Sequence, residues 1–179
     1  PFVLHVGEFE PRKRVPALVA GHRDYYRAAP DTPPPCHLVL AGAGGSEEAH
    51  VRAAAGPECE LRGFVSEADL DDLYRTATLL VMPSASEGFG LPVAEAMAHG
   101  CPVLVADNSS LPEVGGPSAL VLDDATPGGI AAALGEALGD RAALAARGER
   151  ARADSARFSW AAAATATLDA YATAVAPTR

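Results

Sequence analysis

The sequence predicts an α/β domain: a doubly wound parallel sheet of about six strands with helices on both faces. Three observations predict it. Short apolar runs alternate with helical segments along the chain, the pattern of parallel strands joined by crossover helices. The 179 residues suit one domain and suffice for a real hydrophobic core. The composition, 49% hydrophobic and 21% charged, is that of an ordinary globular protein.

Taken in order, Phe2-Val3-Leu4-His5-Val6 reads as a buried strand. Opening on a central strand implies a boundary inside a longer protein. Further strands are expected at 37–41, 59–62, 78–82, 102–105 and 119–122. Helices are expected between them at about 15–28, 46–55, 67–76, 91–99 and 127–138. Two more Ala-rich helices, about 141–153 and 159–174, close the chain. Ser66 before Glu67-Ala68-Asp69 has the form of an N-cap. Pro30 to Pro35 reads as a stiff surface loop, because each proline fixes its own φ and keeps its predecessor out of the helical region. His99, next to Gly100, suits the last turn of a helix. His5, inside a strand, is expected to be a satisfied core residue.

Fourteen Lys and Arg against twenty-three Asp and Glu give a net charge of −9, which argues against nucleic acid as a partner. Cys36, Cys59 and Cys101 form no CxxC pair and are expected to be buried free thiols of a reducing compartment. No apolar run approaches the roughly 20 residues that span a bilayer. The expected location is cytoplasmic, at most against a membrane surface.

In a doubly wound sheet the ligand lies at the carboxyl ends of the strands, near the point where strand order reverses. The loops after strands therefore matter most. In Pro83-Ser84-Ala85-Ser86-Glu87-Gly88-Phe89-Gly90-Leu91-Pro92, two glycines free the backbone and Pro92 suits a first helical turn. The amides of Gly90 and Leu91 then lie at a helix N-terminus, which favours an anion. Glu87 in this loop and Glu95 in the following helix reach different parts of one ligand. The loop after the first strand carries Arg12, Lys13 and Arg14, three cations suited to a diphosphate. Ala41-Gly42-Ala43-Gly44-Gly45 only loosely resembles a dinucleotide fingerprint and reads as a tight turn. Asp123-Asp124 reads as a turn, no HxH or HExxH pattern suggests a metal, and no DxD-like metal motif follows a strand.

Together these segments resemble the group 1 family of retaining glycosyltransferases, whose two-domain architecture is called GT-B. The matching segments are VGEFEPRKRV, LVLAGAGG and the stretch from Gly63 to Gly116, and the resemblance spans about residues 2–172. It implies a single Rossmann-like nucleotide-sugar-binding domain over 1–179, one half of that fold, with the N-terminal acceptor domain of the same protein lying elsewhere. The family's paired glutamates fall on Glu87 and Glu95. By the resemblance Lys13, helped by Arg12, holds the donor diphosphate. Glu87 is the catalytic-site acid on the donor sugar hydroxyls, and Glu95 meets the ribose diol. Amides of Phe89, Gly90 and Leu91 cradle sugar and distal phosphate, and the base lies near Phe64 and Val65. Many members have Arg where this chain has Glu8, and Arg12 is the substitute the resemblance offers.

Transfer with retention passes through an oxocarbenium-like state as the nucleoside diphosphate leaves. Fixed cations and a helix N-terminus stabilise that leaving charge without a metal or other cofactor. The isolated chain is accordingly expected to bind a nucleoside-diphosphate sugar without transferring it. Membrane contact, if any, is expected to come through the other domain. The alternative is a non-catalytic nucleotide- or nucleotide-sugar-binding module. The presence of Lys13, Glu87 and Glu95 together argues against it.

Overall fold

In a computed structural model, residues 1–29 and 34–175 are described. Pro30 and the rest of 30–33, part of the proline loop expected from sequence, lie outside the described residues.

The strands are β1 (Phe2–Val6), β2 (His37–Ala41), β3 (Cys59–Gly63), β4 (Leu79–Met82), β5 (Val103–Ala106) and β6 (Leu120–Leu122). They form one sheet in the order β3-β2-β1-β4-β5-β6, and every pairing is parallel. This is the Rossmann-type order, in which the chain winds outward from β1 through β3 and then returns to place β4 beside β1. The loops after β1 and β4 therefore diverge around the switch point.

The helices are α1 (Val15–Ala28), α2 (Glu48–Ala54), α3 (Glu67–Thr76), α4 (Leu91–Ala98), α5 (Leu111–Gly115), α6 (Pro127–Gly139), α7 (Arg141–Ser155) and α8 (Trp160–Val175). Side chains alternate between the sheet's faces, so Val3 and Leu4 enter different cores. One core joins Val3, Leu38, Leu79 and Val81 to α1 and α6 through Leu18, Ile130 and Leu134. The other joins Leu4, Val39, Leu80 and Met82 to α3, α4 and α5 through Leu73, Met97 and Leu111. Helices α1 and α6 approach closely because Gly21 has no side chain. A Cβ there would stand 2.6 Å from the Pro127 carbonyl oxygen.

The expected strands are all present, with ends shifted by a residue at most. Ser66 caps α3, its Oγ accepting from the Asp69 amide at 3.2 Å. One element was not expected: α5 lies between the fifth and sixth strands, where no helix was read from the sequence. A five-residue helix entered through Pro112 is too short to display a 3.6-residue period. Helix α8 has no buried residue, and Trp160 on it is 87% exposed. Among the described residues no helix is long and apolar enough to cross a membrane.

Candidate functional site

After β1 the chain makes one 3-10 turn, Pro11–Lys13, closed by Arg14 in the left-handed region at φ 53°. That turn sends Lys13 back beneath Gly7. A Cβ on Gly7 would stand 3.5 Å from both Cε and Nζ of Lys13, an ordinary contact, and it is the Gly7 φ of 145° that favours glycine. Lys13 Nζ then donates to Glu87 Oε1 at 2.6 Å. Arg12 Nη1 donates to Glu87 Oε2 at 3.0 Å and to the Ser86 carbonyl at 3.2 Å. The Ala85 amide donates to the Arg12 carbonyl, tying the two loops through their backbones. The Lys13 and Glu87 side chains are only 9% and 8% exposed, whereas that of Arg12 is 51% exposed. Burial opposes ionisation of Glu87, but the ammonium and guanidinium outweigh it and hold its carboxyl below the ordinary carboxylate range.

Beside this cluster the turn Gly88–Gly90 leads into α4. Gly90 has φ 95°, a conformation that disfavours any side chain. Pro92 has no N–H, and the Val93 amide donates to the Gly90 carbonyl. The helix start thus presents the amides of Gly90 and Leu91. Phe89 packs edge-on against Phe158 at 5.4 Å between ring centres. The Arg157 guanidinium covers the Phe158 ring and donates to the carbonyls of Glu113 and Val114.

A second loop, after β5, clamps the first. Asn108 Nδ2 donates to the Ser84 carbonyl at 3.0 Å, and the Glu87 amide donates to Ser109 Oγ at 3.1 Å. Ser110 Oγ lies within donating distance of the Glu87 and Phe89 carbonyls. Ser109 holds φ 50°, an uncommon conformation for a residue with a side chain. Sequence reasoning marked this loop for its position after a strand but singled out none of these residues.

Glu95, exposed on α4, is apart from the cation cluster. It accepts from the Tyr74 hydroxyl at 2.8 Å. Burial first, and the Glu95 carboxylate second, push the Tyr74 hydroxyl well above its ordinary pKa. His99 caps the end of α4 as expected, its amide donating to the Glu95 and Ala96 carbonyls. Phe64 follows β3 at the rim and is 91% exposed, with Val65 packed against the core beneath it.

The glycine turn after β2 braces the β1 loop. A Cβ on Gly42 would lie 2.1 Å from the Gly7 carbonyl oxygen, and one on Gly45 would lie 2.5 Å from that of Phe9. The Phe9 amide donates to the Gly44 carbonyl, and the Glu47 amide to Phe9. Asp124 accepts from the Thr126 amide and hydroxyl, as a turn residue does. His5 is buried as expected, but only half satisfied, which corrects the sequence reading. Its Nδ1 donates to the Val81 carbonyl at 3.0 Å, while Nε2 has no partner. Burial, and secondarily the nearby Lys13 charge, lower its pKa to about 4. The cause is the fold of the β1 loop over the strand end, where Gly7 and Lys13 close the imidazole off from solvent. All three cysteines are free, and burial pushes the thiols of Cys59 and Cys101 up to about 12.

The family described as "Glycosyl transferases group 1" matches residues 1–140 of this sequence, a span that includes Arg12, Lys13, Glu87 and Glu95. The chain belongs to that family. The domain is 34% identical over 176 residues to the O-antigen chain mannosyltransferase B of Escherichia coli, covering 95% of this chain and 45% of that protein. It is 36% identical over 193 residues to a D-inositol 3-phosphate glycosyltransferase of Nocardia farcinica, covering 98% of this chain and 41% of the relative. The chain thus spans less than half the length of these curated relatives. Among solved structures, sucrose-phosphate synthase of Thermosynechococcus elongatus superposes with a TM-score of 0.79 at 28% identity, over 99% of this chain and 46% of that one. The S. aureus protein TarM, solved with UDP, shares the fold at a TM-score of 0.71 and 19% identity, over 84% of this chain and 31% of its own.

Proposed function

We propose that this domain is the donor-binding half of a retaining glycosyltransferase that moves a sugar from a nucleoside diphosphate to an acceptor. The observation that carries the reading is the meeting of Arg12, Lys13 and Glu87 beside the Gly90 helix start. Two cations and a helix N-terminus converging on one spot suit a diphosphate. The diphosphate competes with Glu87 for the same N–H donors. As phosphate oxygens take those donors, the Glu87 carboxylate is released to accept from hydroxyls of the donor sugar. The leaving diphosphate then gathers charge where Lys13, Arg12 and the Gly90 and Leu91 amides already point, so little reorganisation is needed in the transition state. Phe64 and Val65 supply a rim for the base, and Glu95 accepts from the ribose hydroxyls. Stabilisation by fixed cations makes the reaction metal-independent in this reading, and three free thiols suit a cytoplasmic protein.

The acceptor belongs, in this proposal, to a second domain of the same protein, which the partial coverage of the relatives supports. Any peripheral membrane contact runs through that domain. By itself the present chain binds donor without transferring sugar, because an unaligned acceptor forfeits the roughly 7–11 kcal/mol that positioning supplies. Calorimetry with UDP, GDP and ADP tests the binding. One of the three should bind, and Lys13→Ala should lower its affinity by about 1.5–3 kcal/mol, the scale of a hydrogen bond to a charged group. An affinity unchanged in Lys13→Ala, or no binding by any of the three, overturns the reading.

A further inference from the structure

Glu95 is an exposed carboxylate on the second turn of a helix, the kind of side chain that ordinarily samples several rotamers. Here one of its oxygens is held. Tyr74, on α3, is 1% exposed, and its hydroxyl makes its hydrogen bond to Glu95 Oε2 at 2.8 Å. A buried tyrosine hydroxyl requires an acceptor, and a bond to a charged acceptor is roughly twice as strong as a neutral one. The ring is itself fixed. It stacks on His99 at 5.8 Å and 16° between planes, and His99 Nε2 lies 3.2 Å from Asp71 Oδ1. The His99 amide returns to the Glu95 carbonyl, so the support of the side chain and that of its backbone meet in one histidine. Glu95 as a whole is exposed, and among the described residues its other oxygen, Oε1, takes no hydrogen bond. It lies five residues beyond Gly90, about 7.5 Å along the helix axis. That matches the reach from a terminal phosphate to the sugar of the same nucleotide.

We propose that Tyr74 is a positioning residue that orients Glu95 to select a ribose bearing its 2′-hydroxyl. The proposal rests on Glu95 being the ribose contact in the function given above. Without the tyrosine hydroxyl the carboxylate still exists, but it is no longer aimed, so the loss falls on the hydroxyl it recognises and not on the phosphates.

The experiment is calorimetry on this chain with whichever of UDP, GDP and ADP binds, set beside its 2′-deoxy counterpart. The unsubstituted chain should favour the ribonucleotide roughly tenfold. Tyr74→Phe, which keeps the ring and its stack, should weaken the ribonucleotide about five- to tenfold and leave the 2′-deoxy form within about twofold. A purely structural role would instead weaken both alike or neither, and either result overturns the proposal. Should Tyr74→Phe fail to fold, Glu95→Asp leaves the buried residue intact. Its shorter side chain cannot hold Tyr74 and reach the ribose together. Its ribose-to-deoxyribose ratio should collapse toward one, and a retained ratio is a refutation. If Lys13→Ala abolishes binding while the ratio in the unsubstituted chain is already one, the donor site stands and the Tyr74 assignment falls. If no nucleotide binds, the functional reading and this proposal fall together.

Discussion

Replacing Lys13 with methionine keeps most of the side-chain volume and removes the ammonium that holds Glu87. The pair is well buried, with both side chains under a tenth exposed and Nζ 2.6 Å from Oε1. Removing one partner of a buried pair costs about 3–5 kcal/mol, because the other charge is stranded. Arg12 remains on the second oxygen but is half exposed, so it offsets part of that loss, and about 2–3 kcal/mol is expected. Glu87→Gln keeps an acceptor for Lys13 and should cost about 1–2 kcal/mol. The double substitution strands no buried charge and should cost less than the sum by at least about 1 kcal/mol. Urea unfolding reads this directly: with a slope near 2 kcal/mol/M, Lys13→Met should move the midpoint down by about 1–1.5 M. The pH dependence has a definite sign. Glu87 has a lowered folded pKa, so its contribution is present above the ordinary glutamate value and lost as pH falls through the lowered one. Without Lys13 the buried carboxyl takes up a proton more readily, so the cost of Lys13→Met should be largest near neutral pH and shrink as pH falls. Additivity of the two substitutions within about 0.5 kcal/mol would refute the buried-pair argument.

His5 titrates in the fold near 4 against 6.5 when free, so the unfolded chain binds the extra proton first and stability falls as pH drops from 6.5 toward 4. His5→Asn retains a donor for Val81 and should remove about 2–3 kcal/mol of the loss between pH 7 and 4.5 in chemical denaturation; an unchanged loss would contradict a buried neutral imidazole. Gly42 and Gly44 both have positive φ, yet a Cβ at 42 meets a carbonyl oxygen at 2.1 Å and one at 44 meets nothing within 4 Å. Gly42→Ala should cost about 3 kcal/mol or more and Gly44→Ala about 1, and equal melting temperatures for the two would show that the turn does not brace the β1 loop.

The sheet was legible because its inner strands are buried on both faces. The segments at 79–82 and 103–106 are apolar at every position, as buried parallel strands require. The ends of Glu87's loop were legible too, since glycine and proline there carry their own conformational meaning. The pairing of Glu87 with Lys13 was not. It depends on the course of the β1 loop, which Gly42 and Gly45 brace at Gly7 and Phe9 from well over thirty residues away in sequence. Tyr74 was hidden for a different reason. On an amphipathic helix an aromatic at a core position satisfies the helical period, and nothing in the period says that its hydroxyl reaches another helix. Asn108, Ser109 and Ser110 look like loop residues because they are loop residues, and their hydrogen bonds run to a neighbouring loop that only the strand order brings beside them.

Strand order also explains how so exposed an edge of the sheet holds a rigid site. The two loops that carry Lys13 and Glu87 follow β1 and β4, neighbours across the switch point, and no crossover helix lies between them there. Each is supported from its outer side by the loop of the next strand. The β2 loop presses its glycines on Gly7 and Phe9, and the β5 loop takes hydrogen bonds from or to Ser84, Glu87 and Phe89. Phe158, at the junction of α7 and α8, closes the row from the α4 side by packing on Phe89. Charged groups in a site act at full strength only when their supports do not yield as charge develops. Here the supports are backbone-to-backbone approaches too close for a side chain, and hydrogen bonds to main-chain groups. The main chains of the two loops are thus held in place by the neighbouring strand ends, while the Lys13, Arg12 and Glu87 side chains remain free to exchange partners.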